Sequence, residues 1–235
     1  VDPDYKGNSD TRLSGIAAPA YAVMIAETFG WSLPDPQATK QFFLSLQKPD
    51  GAFIPHSGSL DPNSPHARLY NTAQSLVALH FLGAEPKYDA EAVIRSFLNN
   101  SVLEELPLYT TSFFPYFYNA LGKAMPRDLD RRIRAHIKEN QGEDGYIADH
   151  VASTFHAAHY YRLVGDPTPK AKEMVERVLR DQKEDGSWHL HPPDWDVHAS
   201  YDALFILRQL GDPEDKRMKD AYEKAVQYVL TCQNG

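Results

Sequence analysis

The chain has 235 residues, 42% of them apolar, and a formal net charge of -8. This length and apolar fraction allow a sizeable core, in one large domain or two small ones. Because Lys and Arg are scattered rather than gathered in a basic stripe, nucleic acid is excluded as an expected partner. The one cysteine, Cys232, excludes an internal disulfide framework and a cysteine-based zinc knuckle.

The N-terminus and the apolar stretches indicate neither export nor a membrane span. Residues 1–5 lack the charged and apolar regions of a secretion signal, so we expect a cytoplasmic protein unless a leader preceded Val1. The longest apolar stretch, 16–26, contains Pro19 and is too short to cross a bilayer. It predicts a buried core helix, and we expect no transmembrane segment.

The predicted helices alternate between two kinds. Helices of the first kind are apolar or aromatic on nearly all sides, which predicts packing over most of their circumference; they are 14–29, 69–82, 109–121, 151–164 and 197–210. Helices of the second kind carry one apolar stripe among charged residues, which indicates a single buried face. They are 38–47, 90–97, 128–138, 171–182 and 219–230.

Two short phrases repeat in step with these helices. An Asp-Gly turn closes three of the helical stretches, at Asp50-Gly51, Asp144-Gly145 and Asp185-Gly186. An apolar residue followed by glycine recurs about 40 to 50 residues apart, the length of a two-helix repeat; the glycines are Gly30, Gly83, Gly122, Gly165 and Gly211. The sequence therefore predicts about five helical hairpins.

An all-α domain with two concentric layers of helices, spanning 1–235, follows from this alternation. The first kind of helix would form the inner ring, with the N-terminal ends facing one cavity. A linear solenoid with a concave face is the alternative geometry. Polar and aromatic side chains gather at the predicted cavity: His66, Tyr70, Phe113, His150, His156, Asp196, His198 and Tyr201.

Three phrases carry a resemblance to a known family: Ser14-Gly15-Ile16, the run Ser-Pro-His-Ala-Arg-Leu-Tyr-Asn-Thr at 64–72, and Gln-Lys-Glu-Asp-Gly-Ser at 182–187. They resemble the α/α-toroid superfamily of protein prenyltransferase β subunits and squalene-type cyclases. The similarity is closest to the β subunit of Rab geranylgeranyltransferase. The resemblance implies an α/α toroid; since the repeats counted above number about five, we expect the family's sixth repeat to be lacking.

The resemblance also implies a zinc site at the fifth inner helix. The family's helix begins Asp-Val-Cys and supplies two zinc ligands there, whereas this chain has Asp196-Val197-His198, with histidine in place of cysteine. The family's third ligand opens a sixth inner helix. In a competing register His198 aligns with that third ligand, and Asp185-Gly186-Ser187 aligns with an Asp-Gly-Cys phrase.

The residues themselves support a metal site in the same segment. His189, His191, Asp194, Asp196 and His198 lie within ten positions, and imidazole and carboxylate together suit zinc. The candidate metal ligands are therefore Asp196 and His198, helped by His189 or His191. In the alternative interpretation this is a Pro-rich loop in which Asp196 caps the following helix.

Other candidate residues are implied by the resemblance or by their surroundings. His150 resembles a histidine that opens the family's fourth inner helix and contacts the isoprenoid diphosphate; with Asp149 beside it, a capped helix start is the alternative. His66, Tyr70, Phe113, His156 and Tyr201 are predicted to line the ligand cavity, or to pack as core. His156 and His159 could bind metal, but hydrogen-bonded core histidines are the favoured interpretation.

One departure from the family bears on catalysis. The family's diphosphate clamp, an Arg and a Lys, falls near Leu190 and Pro193, where this chain has no cation. The predicted function is a prenyltransferase-like protein with a central apolar cavity for an isoprenoid-type ligand, and metal-dependent prenyl transfer to a thiol if it is active. The alternatives are a non-catalytic helical-repeat module that binds a protein partner, and a terpenoid cyclase-like protein.

Overall fold

The structure is a computed structural model that describes residues 15–56, 61, 63–99, 102–189 and 196–232, with only the backbone of Asp196. These residues form ten α-helices: Ala17–Phe29 (α1), Pro36–Leu46 (α2), Pro65–Phe81 (α3), Glu91–Asn99 (α4), Phe113–Ala120 (α5), Arg127–Glu139 (α6), Val151–Val164 (α7), Ala171–Arg180 (α8), Asp196–Leu210 (α9) and Lys216–Thr231 (α10). Two short 3-10 helices cover Leu103–Glu105 and Leu108–Thr110. Within the described ranges there is no β-strand, so the all-α prediction is confirmed.

Two compact units are present. The N-terminal unit comprises the described residues up to Leu106 together with Phe113–Leu129, and the C-terminal unit comprises Pro107–Ser112 and the described residues from Asp130 onward. In the N-terminal unit α3 packs between α1 and α5, with α2 and α4 against α3. In the C-terminal unit α7 packs on α9, and α8 and α10 pack behind α9. The prediction that 1–235 make one domain stays a prediction.

The two kinds of helix are visible within each unit, with two exceptions among the predicted inner helices: α9 exposes Val197 and Tyr201, and α1 departs further. α3 and α7 are buried over most of their surface, whereas α2, α8 and α10 each bury a single stripe. α1 was expected to be packed on nearly all sides, but this is wrong. It buries Ala20, Val23 and Ala26 and exposes Tyr21 and Ile25, because the unit covers only one of its faces.

The predicted inner helix 109–121 is also corrected. The chain first makes the 3-10 turn Leu108–Thr110, and α5 begins only at Phe113. Pro115 then stands at the third position of α5, within the first turn, where its missing N–H removes no helical hydrogen bond. The proline therefore explains why the helix cannot extend back through 109–112.

The three Asp-Gly turns have one construction. Each aspartate accepts a hydrogen bond from the backbone N–H two residues on, at 3.2, 3.2 and 3.0 Å for Asp50, Asp144 and Asp185. A glutamine before each turn donates to the turn glycine's carbonyl and to a second carbonyl farther along the chain, 41, 28 and 39 residues away for Gln47, Gln141 and Gln182. The turn is thereby fastened to the helical pair that follows it.

Gln47 makes the most complete of these bridges. Its Nε2 donates to Gly51 O and to Tyr88 O, at 3.2 and 2.9 Å, and its Oε1 accepts from the Tyr88 N–H at 2.8 Å. Replacing Gln47 with alanine should lower the free energy of unfolding by about 2 kcal/mol, because buried backbone groups lose their partners. Urea unfolding measures this. Gln41→Ala, at an exposed position of α2, is the matched control and should change stability by less than about 0.5 kcal/mol. Equal effects of the two changes would contradict the bridge.

Candidate functional site

Three of the predicted ligand-binding residues lie together in the N-terminal unit. The Tyr70 ring meets Phe113 edge-on at 5.2 Å between centroids and lies 6.5 Å from the His66 ring. Ser64 caps α3 by accepting from the Ala67 N–H, which places His66 in the first turn. Burial raises the pKa of Tyr70, with Tyr21 as a further cause, and lowers the pKa of His66. Both side chains are therefore neutral at pH 7.

Tyr21 belongs to this group, although the sequence analysis did not name it. Its hydroxyl lies 3.4 Å from the Tyr70 hydroxyl, and the residue is 48% exposed. The sequence signal that could have indicated Tyr21 is a tyrosine near the start of each of the two helices. The structure shows that these helices, α1 and α3, are in contact. The N-terminal unit thus presents hydroxyls and ring edges side by side.

The C-terminal unit holds a second aromatic group, centred on Phe155. His156, Tyr201 and Phe205 contact the Phe155 ring at 4.7, 5.8 and 4.9 Å between centroids. Tyr201 is 59% exposed, so its ring forms the outer surface of the group. The sequence analysis named His156 and Tyr201 but missed Phe155 and Phe205. The spacing of Tyr201 and Phe205, four apart on α9, could have indicated one aromatic face.

The two histidines of α7 differ in their surroundings. The Nδ1 atom of His156 lies 2.7 Å from Ser112 Oγ, a buried hydroxyl that fixes the ring's orientation. His159 is buried, stacks on Phe155 and meets Phe205 edge-on. Burial, with a contribution from Arg162, lowers the pKa of His159 to about 4. His159 is thus a neutral core residue at physiological pH.

His150 is the N-cap residue of α7. Its Nδ1 atom accepts a hydrogen bond from the Ser153 N–H at 3.3 Å. The two preceding residues, Ala148 and Asp149, adopt φ angles of 51° and 52°, and Asp149 pairs with Arg177. The capped helix start is therefore formed by His150 itself rather than by Asp149. The contact with an isoprenoid diphosphate that the resemblance implies for His150, and with it a catalytic role, stays a prediction.

His198 and Asp202 form the most unusual pair of the site. They lie one turn apart on α9, with His198 Nε2 3.4 Å from Asp202 Oδ2. Half of the His198 side chain is exposed, whereas Asp202 is fully buried. Burial raises the pKa of Asp202 to about 8 and lowers the pKa of His198. The sequence analysis missed Asp202, although a histidine and an aspartate four apart on a helix share a face.

The remaining candidate metal ligands are only partly described. Asp196 is the first residue of α9, but its side chain and the whole of His191 lie outside the described residues, as do the clamp positions Leu190 and Pro193. His189 is exposed and follows the buried Trp188. Among the residues that the structure describes, no three His, Cys, Asp or Glu side chains converge.

A divalent metal nevertheless fits the donor set at the start of α9. An imidazole and a carboxylate are both ligands that zinc accepts. The Asp202 carboxyl lies in the interior, and neither of its oxygens has a hydrogen-bond partner in the described part of the chain. The first turns of α9 therefore hold two adjacent metal-donor groups, one of which has no hydrogen bond to a described residue.

The described residues thus define an all-helical arrangement in which helices are paired and Asp-Gly turns recur. A family model, the prenyltransferase alpha-alpha toroid domain, matches residues 65–235. The chain belongs to this family, which confirms the predicted resemblance to the toroid superfamily; the closer similarity to the Rab geranylgeranyltransferase β subunit stays a prediction. No curated protein and no solved structure gave a match. None of the described helices has the length and apolar character needed to cross a membrane.

Proposed function

We propose that this is a prenyltransferase-like protein that binds an elongated apolar ligand of the isoprenoid type. The observation that carries the proposal is the exposed aromatic group on α7 and α9. Tyr201, 59% exposed, lies over Phe155 beside Phe205. Aromatic rings on an exposed face stabilise a bound hydrocarbon chain by burying apolar surface.

The polar end of such a ligand would meet the start of α9. His198 is one turn before Tyr201 on that helix, so a ligand lying on the Tyr201 ring can reach the His198 imidazole. We propose that Asp196 and His198 hold a divalent metal, zinc by preference, with His189 or His191 as further ligands. When bound, such a metal lowers the pKa of a substrate thiol, and the thiolate is the form that attacks an allylic carbon.

Diphosphate release is the weak step in this chain. A leaving diphosphate needs fixed positive charge on its oxygens, and the sequence has no cation at Leu190 or Pro193. His189 is the described basic residue next to these positions in the sequence, and it is an imidazole rather than the Arg and Lys of the family's clamp. The proposed function is therefore ligand binding first, and prenyl transfer to a thiol is measured as a separate step.

Replacing Tyr201 with alanine should weaken isoprenoid binding by about 10-fold, because the variant loses the largest exposed ring of the group. The measurement is equilibrium binding of labelled geranylgeranyl or farnesyl diphosphate to the full chain. Val226→Ala, another exposed apolar side chain but on α10, is the control and should leave binding unchanged. Transfer is then assayed with a cysteine-containing peptide as acceptor.

Absence of saturable binding to the unaltered protein would reject the ligand class. Equal loss of binding in the Tyr201 and Val226 variants would show that the Tyr201 aromatic group is not the binding site. It would not contradict the isoprenoid as the class of ligand. Binding without transfer supports the ligand-binding proposal and is the result expected of a chain without the diphosphate clamp.

A protein-binding helical-repeat module is the second candidate, and one observation favours it. Phe29 and Trp31, at the end of α1, stack at 5.0 Å between centroids and are both 64% exposed. Aromatic side chains of this kind are enriched in protein interfaces. If the exposed pair serves a protein partner, Trp31→Ala should abolish capture of that partner and leave isoprenoid binding intact.

A further inference from the structure

Asp202 is buried without the partners that a carboxyl group normally has. It lies in the second turn of α9 at 0% exposure, beneath the half-exposed His198 on the same face of the helix. Neither Oδ1 nor Oδ2 accepts a hydrogen bond from any described residue. Burying a carboxyl group without hydrogen-bond donors costs free energy, and the cost is larger for the ionised form, which only a nearby cation would favour. A cation beside Asp202 would remove that cost.

The distance to His198 fits a shared cation. His198 Nε2 lies 3.4 Å from Asp202 Oδ2, and the contact is not a hydrogen bond, since Oδ2 has none. Two ligand atoms about 2.1 Å from one zinc ion, at the tetrahedral angle, are about 3.4 Å apart. The two side chains are therefore already separated as two ligands of one ion would be.

Access from solvent is provided by the histidine. Half of the His198 side chain is exposed, so an ion can approach Nε2 without opening the core around Asp202. Imidazole and carboxylate together favour zinc over calcium or magnesium, which prefer oxygen ligands alone. The remaining coordination positions are left to water or to a bound ligand, as in an open site.

We propose that Asp202 is a metal ligand, and that its carboxylate and the Nε2 atom of His198 bind one zinc ion at the start of α9. The inference rests on the proposed function in one respect, since His198 belongs to both ligand sets. The inference adds one ligand, the buried carboxylate of Asp202. Neither the Asp196-Val197-His198 phrase nor the family match assigns a role to this residue.

The test is calorimetric titration of zinc chloride into the chelator-treated full chain. Asp202→Asn keeps the shape of the side chain and removes its charge, and His198→Ala removes the imidazole. Each should weaken zinc binding by at least about 10-fold. Matched controls are Asp220→Asn on α10 and His80→Ala on α3, both at exposed positions, which should bind zinc as the unaltered protein does.

A second readout separates lost ligands from lost folding. Zinc should raise the melting temperature of the unaltered protein, because it binds only the folded state, and should not raise that of Asp202→Asn. Circular dichroism of the metal-free variants confirms that they are folded. Zinc affinity of Asp202→Asn equal to that of the unaltered protein overturns the inference.

The outcomes also separate this inference from the proposed function. If His198→Ala loses zinc and Asp202→Asn keeps it, the metal uses other ligands and only the role of Asp202 falls. If the unaltered protein binds no zinc, the metal site falls as a whole. Isoprenoid binding by the same metal-free protein is measured independently and decides the proposed function.

Discussion

Gly186→Ala should destabilise the protein by about 4 kcal/mol or more, an effect far larger than that of an ordinary surface substitution. The φ angle of Gly186 is 91°, a backbone conformation that residues with a side chain rarely adopt. A Cβ atom there would lie 2.3 Å from the Lys224 carbonyl oxygen and 2.5 Å from its carbonyl carbon. Because both atoms belong to the backbone of α10, no side-chain rotation relieves the clash, and the helix must shift.

Gly165→Ala is the matched control for this prediction. Gly165 also has a positive φ angle, 80°, but a Cβ atom at this position meets nothing within 4 Å. Its replacement should therefore cost only the backbone strain, about 1 to 2 kcal/mol. Urea unfolding gives the two values, and hydrogen exchange should show faster opening of α10 in the Gly186 variant alone. Similar costs for both variants would show that the close approach to Lys224 is unimportant.

Acidification should destabilise the protein through His159. The pKa of this buried histidine is about 4 in the folded chain, whereas an unfolded histidine titrates near 6.5. Between these values the unfolded state binds more protons, so stability falls as pH falls. The full contribution is present above pH 6.5, and about 2.5 kcal/mol of it should be lost by about pH 4.5.

His159→Phe should remove this part of the pH dependence. Phenylalanine has a similar ring and suits the contacts with Phe155 and Phe205, but it does not titrate. The free energy of unfolding is measured in urea at about pH 7.5 and pH 4.5, and the variant should lose about 2.5 kcal/mol less than the unaltered protein. His80→Gln, at an exposed position, should lose as much as the unaltered protein. An unchanged pH dependence in His159→Phe would place the acid sensitivity elsewhere.

The fold was more predictable from the sequence than the site. Helical periodicity and the repeated Asp-Gly phrase are local patterns, and they located the ten described helices to within four residues at each end, with the largest differences at the starts of α3 and α5. For α5 the apolar run 109–121 suggested one helix, but Pro115 fixes the start of α5 at Phe113. The face of α1 that its unit leaves uncovered could not be read from an apolar stretch, because burial depends on which neighbours are present.

The site depends on contacts between side chains that are distant in sequence. Its residues also do not differ, in the sequence, from other residues of the same type on helices. Phe155 joins His156 to Tyr201, and Ser112 fixes the orientation of His156, yet neither Phe155 nor Ser112 stands out in the sequence. Asp202 resembles any aspartate on a helix until its burial is known. The spacing of His198 and Asp202 was available in the sequence, but only the structure shows that the aspartate is buried and accepts no hydrogen bond from the residues that are described.

The hydrogen bonds from the turn glutamines to distant backbone carbonyls hold neighbouring helical pairs together without requiring a particular side chain on the accepting pair. The far acceptors of Gln47, Gln141 and Gln182 are the carbonyl groups of Tyr88, Pro169 and Ala221, three residues with nothing in common but their backbone. A main-chain acceptor is present whatever the side chain, so mutation at these positions leaves the joint intact. Each hairpin with this turn carries its own donor, the glutamine Nε2. A backbone carbonyl of any neighbouring segment with a similar conformation can accept from it. Selection then needs to preserve only one side of each joint, the glutamine and its glycine turn, while the helix that receives it is free to acquire new surfaces.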